Sequence, residues 1–132
     1  MKKDEVTVNK SPGLWKLYLD DERPLALARD SFEFSSVKEF REAPWFHAKT
    51  FGQAVAHILY NGMPLCIDFD HDLGKSLSGM DLAEWIVEHD QENDVITKDF
   101  SWSIHSGNWI GAENIDGLLK NYMKNKFGTK NS

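Results

Sequence analysis

Acidic residues follow directly on two hydrophobic runs in this chain. The first reads Leu17-Tyr18-Leu19-Asp20-Asp21-Glu22-Arg23-Pro24, the second Leu65-Cys66-Ile67-Asp68-Phe69-Asp70-His71-Asp72-Leu73-Gly74. A third run, Phe100-Ser101-Trp102-Ser103-Ile104, opens into His105-Ser106-Gly107-Asn108. Carboxylates are hard oxygen donors, so Asp20 and Asp21 with Asp70 make a candidate site for Mg²⁺ or Mn²⁺. Imidazoles titrate near neutrality, which suits His71 and His105 to activating water and protonating a leaving oxygen. Asp72 is placed to orient its histidine neighbour. Arg23 can grip phosphate oxygens through two parallel hydrogen bonds. Ser106, Gly107 and Asn108 can form an anion-binding turn ahead of a helix, whose amino end favours negative charge.

Each of these residues also has a plainer reading. One acid of the Asp20-Asp21 pair can cap a turn while the other is solvated. His71 can pack in a turn, and Arg23 can neutralise the acids beside it. Ser106 is the weaker choice as a covalent nucleophile, because nothing orients a base on it. Gly74 and Gly79 have the spacing of a phosphate loop, but no Lys-Ser/Thr pair follows Gly79. The other histidines read as background: His47 within a strand, His57 off the apolar stripe of its helix, His89 complementing a helix end. The lysines from Lys120 onward read as solvated helix-end charges. Among the tryptophans, only Trp109 stands where it can cover a base or sugar.

The elements that must position these groups follow from periodicity. Strands are expected over Trp15 to Leu19, Trp45 to Lys49, Leu65 to Asp70 and Phe100 to Ile104. Thr50-Phe51-Gly52-Gln53 is a capping box ahead of Ala54, Val55, Ile58 and Leu59, with Asn61-Gly62 and Pro64 as the stop. Ser78-Gly79-Met80-Asp81 opens a second helix, on which Leu82, Trp85, Ile86 and His89 share a face. From about Gly111, the spacing of Ile115, Leu118, Leu119, Tyr122 and Met123 predicts a final amphipathic helix. The segment 25–44 resists placement beyond a short helix over Ser36 to Ala43, cut off by Pro44. Alternation of this kind predicts an α/β fold: a short, mostly parallel sheet with covering helices. The carboxyl ends of parallel strands share one edge, and ligands bind there.

Composition sets the outer limits. With 132 residues, the chain is expected to be one domain over 14–127, after a flexible leader (1–13) and before a polar tail (128–132). Its net charge of −6 argues against extended wrapping of nucleic acid, which needs a basic surface, but allows a nucleotide or a single RNA end. No apolar run reaches the roughly 20 residues of a membrane span. The lone cysteine, Cys66, cannot form an internal disulfide, so a reducing cytoplasm is the simplest location.

The blocks Leu19-Asp20-Asp21-Glu22-Arg23-Pro24, Asp70-His71-Asp72-Leu73-Gly74, Gly79-Met80-Asp81-Leu82-Ala83-Glu84-Trp85, His105-Ser106-Gly107-Asn108 and Gly111-Ala112-Glu113-Asn114-Ile115 occur in this order. Together they resemble the cyclic-phosphate processing receiver-like domains of bacteria and phages. The resemblance implies a receiver (flavodoxin-like) fold in which Asp20, Asp21 and Asp70 hold a metal ion. It also implies that His71, Asp72, His105, Ser106 and Asn108 process cyclic phosphates on nucleotides or RNA ends, as in RNA repair. Four departures stand out: the fifth strand and its lysine are missing, Trp109 replaces the usual proline, Asp68 adds an acid inside the third strand, and the segment 25–44 is expanded. Two rival readings follow. One is a non-catalytic module that binds a phosphorylated ligand or partner, the other a phospho-accepting receiver using Asp70.

Overall fold

The computed structural model describes residues 8–20, 38–70, 79–105 and 109–128, and for residues 39, 40, 70, 105 and 109 it describes the backbone alone. Within them lie β1 (Lys16–Leu19), α1 (Lys38–Glu42), β2 (Trp45–Ala48), α2 (Phe51–Asn61), β3 (Cys66–Asp70), α3 (Gly79–Asn93), β4 (Ser101–His105) and α4 (Trp109–Phe127). The four strands form one sheet in the order β2-β1-β3-β4, and every pairing is parallel. This is the short parallel sheet that the sequence predicts. Among the described residues the sheet has no fifth strand.

Period-two alternation divides the strands into two unlike faces. Leu17, Leu19, Phe46, Ala48, Ile67, Phe69, Trp102 and Ile104 share one face and pack into the hydrophobic core. That core also takes Ala54 and Ile58 from α2, Leu82, Ala83 and Ile86 from α3, and Ile115 and Leu119 from α4. The three long helices therefore cover the same face. The alternate strand positions are Lys16, Tyr18, Trp45, His47, Cys66, Asp68, Ser101 and Ser103. Lys16, Tyr18, Cys66 and Asp68 are nonetheless buried. On the two central strands the second face thus buries polar side chains, and it leads up to the carboxyl edge.

The helix ends are fixed by local chemistry. Thr50 caps α2, its hydroxyl accepting from the Gln53 N–H at 3.1 Å. The Gln53 side chain reaches one residue further back than a standard capping box, accepting from the Lys49 N–H at 2.8 Å. At the other end Gly62 takes φ 87°, a left-handed conformation that favours glycine. A Cβ there would also collide with the Ser11 carbonyl oxygen. Residues 9–13 lie along this end of α2, where Asn9 N–H donates to Leu59 O at 3.0 Å and Gly13 N–H to Met63 O at 2.9 Å. The described part of the expected leader is thereby tied to the domain. No helix among the described residues is long and apolar enough to cross a membrane.

Candidate functional site at the carboxyl edge of the sheet

Strand register assembles the centre of the candidate site. Leu19 pairs with Ala48 on one side and Phe69 on the other, and the Asp20 N–H continues the ladder to Ala48 O at 3.1 Å. Asp70 pairs with His105. Asp20, Asp70 and His105 therefore occupy successive places across β1, β3 and β4, on strands about 4.8 Å apart. They come from distant parts of the sequence, and only parallel pairing brings their backbones abreast.

Asp20 is the expected metal ligand whose side chain the structure describes, and it has no solvent exposure. The Tyr18 hydroxyl donates to its Oδ2 at 3.1 Å, from two residues back on the same side of β1. His47 Nε2 donates to its backbone carbonyl at 2.8 Å, which places a proton on that nitrogen. The Tyr18 and His47 rings lie 4.9 Å apart across β1 and β2. A buried carboxylate at a strand end, held by a neutral donor and abreast of a second aspartate position, has the hard-oxygen chemistry that fits a divalent cation. Among the described residues no three carboxylate, imidazole or thiol groups form a metal-ready cluster.

Asp21, Arg23, His71, Asp72, Ser106 and Asn108 lie outside the described residues. By backbone position Asp70 ends β3 as expected, whereas His105, expected just past its strand, is the last residue of β4, and Trp109, expected in the turn before the helix, is the first residue of α4. Helix α4 opens at Trp109, one residue past Asn108, with no acidic residue in its first turn to oppose an anion. The expected start near Gly111 is two residues late, an ordinary error at a helix end.

Three background residues take roles that their sequence positions do not suggest. His57, expected off the apolar stripe, stacks on Phe46 at 3.7 Å and meets Trp15 edge-on at 4.5 Å. Burial lowers its pKa. His89 does not serve as a helix-end cation. It is buried, stacks on Trp85 at 4.6 Å and accepts at Nδ1 from Asn93 at 3.2 Å, and desolvation lowers its pKa. Lys126 is not a solvated helix-end charge either: its ammonium donates to both oxygens of buried Asp90 at 2.9 Å and to Asp94 at 2.8 Å.

Asp90 also accepts from the Val95 and Ile96 N–H groups at 2.7 and 2.6 Å, and from the Tyr122 hydroxyl at 2.5 Å. Burial works to raise its pKa, but these donors outweigh it and hold the carboxylate below its usual range. Helix α3 ends at Asn93 and α4 at Phe127, so this network fastens the amino-terminal edge of the sheet, opposite the candidate site. Cys66 is buried inside β3, where desolvation pushes its thiol pKa well up. That makes it a packing residue and not a nucleophile.

A four-stranded parallel sheet with acidic strand ends defines a receiver-like α/β domain. The chain belongs to the cyclic-phosphate processing receiver domain family, whose family model matches residues 15–121. No curated protein matches it. Among solved structures, it is similar to one described as a yeast Spc42 trimeric coiled coil fused to another structure, at 13% identity and a TM-score of 0.43, over 89% of this chain and 80% of that one. That likeness is too loose to bear on fold or function.

Proposed function

We propose that the protein is a metal-assisted phosphoesterase that opens cyclic phosphates on nucleotides or RNA ends. The observation that carries this reading is the register that sets Asp20, Asp70 and His105 abreast at the carboxyl edge. Membership of a family named for cyclic-phosphate processing supports it.

In this reading Asp20, Asp21 and Asp70 hold Mg²⁺ or Mn²⁺, which when bound polarises a phosphoryl oxygen. Arg23, Ser106 and Asn108 donate to the non-bridging oxygens as charge builds on them. One of His71 and His105 takes a proton from the attacking water, and Asp72 orients the imidazole beside it. The other histidine gives a proton to the ribose oxygen as the P–O bond breaks. A new O–P bond replaces it, and the product is an acyclic phosphomonoester.

Incubation of the protein with Mn²⁺ and a nucleoside 2′,3′-cyclic phosphate tests the reading, with phosphomonoester release as the expected result. Binding without turnover would instead favour a non-catalytic module for phosphorylated ligands. The position of Asp70 at the end of β3 also supports a second reading, phosphorylation of Asp70 itself, which a small phosphodonor would detect as a labile mass increase.

A further inference from the structure

We propose that Tyr18 and His47 are positioning residues for the divalent cation held by Asp20, an inference that rests on the metal-assisted reading above. Neither belongs to the blocks that carry the family resemblance, which begin at Leu19. The terminal torsion of an aspartate is soft, so a carboxylate plane must be fixed by its partners. Tyr18 is one such partner here: its hydroxyl meets Oδ2 at 3.1 Å, and both side chains are fully buried. A phenol donates without cancelling the negative charge, as a lysine or arginine would. This bond thereby orients the carboxylate without neutralising it.

His47 fixes the backbone beneath that carboxylate. The ladder between β1 and β2 runs out where β2 ends at Ala48 and the chain turns into α2, capped by Thr50. His47 Nε2 stands in for the next ladder donor, meeting the Asp20 carbonyl at 2.8 Å. Tyr18 and His47 are register partners with rings 4.9 Å apart, so the two donors form one unit gripping Asp20 from side chain and main chain. Groups that hydrogen-bond a metal ligand set its orientation, and losing one costs about 10–100-fold in metal affinity.

The test is Mn²⁺ titration calorimetry on the full chain, comparing wild type with Tyr18→Phe, His47→Phe and His47→Gln. Near-ultraviolet circular dichroism of each ion-free variant checks the fold. Tyr18→Phe and His47→Phe should fold and weaken Mn²⁺ binding by about 10–100-fold. His47→Gln keeps an N–H donor and should bind close to wild type. Wild-type affinity in folded Tyr18→Phe and His47→Phe would overturn the inference and leave the metal reading standing. Should Tyr18→Phe not fold, equal affinities for the two His47 variants would overturn it alone. A wild type that binds no Mn²⁺ would sink the metal reading, and this inference with it.

Discussion

The Tyr18 hydroxyl meets the Asp20 carboxylate at 3.1 Å, with neither side chain exposed to solvent. A fully buried carboxylate costs free energy unless hydrogen bonds or a cation compensate it. In the proposed site, the bound metal supplies part of that compensation. Mg²⁺ or Mn²⁺ at millimolar concentration should therefore raise the melting temperature, because a ligand that favours the native state stabilises it. Asp20→Asn or Asp21→Asn should abolish the shift and can raise the melting temperature of the ion-free protein by relieving repulsion. Differential scanning fluorimetry with and without the ion reads both effects. No ion-dependent shift in wild type would count against the metal.

The two site histidines should matter for turnover and little for folding. In the chain His71 directly follows Asp70, the last residue of β3, and His105 is the last residue of β4. His71→Ala and His105→Ala should each reduce turnover of a cyclic nucleotide by about 10²–10⁴-fold, the usual worth of a positioned proton donor or acceptor. Chemical denaturation should show each variant within about 1 kcal/mol of wild type. Full activity in the double variant would remove them from the mechanism.

The Asp90 network makes a prediction about stability alone. Asp90→Ala leaves the Val95 and Ile96 N–H groups, the Tyr122 hydroxyl and the Lys126 ammonium without their shared acceptor. Removing one partner of such a buried set should cost about 3 kcal/mol, against about 1.5 for Tyr122→Phe. The pH dependence follows from the direction of each shift. The Asp90 pKa is lowered from 3.8, so its contribution is complete above that value and is lost as pH falls through the folded one. Burial and the Asp90 bond raise the Tyr122 pKa from 10.0. For Lys126, burial is outweighed by Asp94 and Asp90, which raise its pKa from 10.5. Those contributions are complete below the unfolded values and fade as pH rises through the folded ones. Urea midpoints across pH should show both edges in wild type and a flatter profile in Asp90→Ala.

Much of this was legible in the chain, and the partners that lie far apart in sequence were not. Apolar alternation with Asp20 and Asp70 at the run ends sufficed to place four parallel strands and their shared edge. The Thr50 cap and the Gly62 stop were readable because they act over a few residues. Tyr18 carried a faint signal, since it shares parity with Asp20 on one strand. His47 carried none: its bond to Asp20 crosses 27 residues and exists only once β1 and β2 pair. The same holds for Lys126 and Asp90, which lie 36 residues apart and meet only when α4 packs on α3. Local pattern reveals strands and caps, whereas partners across elements require the fold.

Gly62 tests the tie between residues 9–13 and the domain. Its φ of 87° already disfavours a side chain, and a Cβ would strike the Ser11 carbonyl. Gly62→Ala should cost about 2–3 kcal/mol through backbone strain, and more if the contact cannot relax. Deleting residues 1–11 from that variant should recover the part due to the collision. If the deletion recovers nothing, the whole cost lies in the left-handed backbone.

Substrate size is the remaining prediction. With a net charge of −6, the surface gives no general attraction to polyanions, so affinity should come from a small site and not from backbone tracking. A mononucleoside 2′,3′-cyclic phosphate should then compete effectively with a longer RNA carrying the same end. Binding to the long RNA should show a shallow salt slope, that of one or two phosphate contacts such as Arg23. Trp109 opens α4 directly after the His105-Ser106-Gly107-Asn108 block, and its fluorescence should report a base stacked upon it. Trp109→Ala should weaken binding by about 1–3 kcal/mol. A steep salt slope, with tight binding only to many nucleotides, would replace the small-site reading with that of an RNA-binding module.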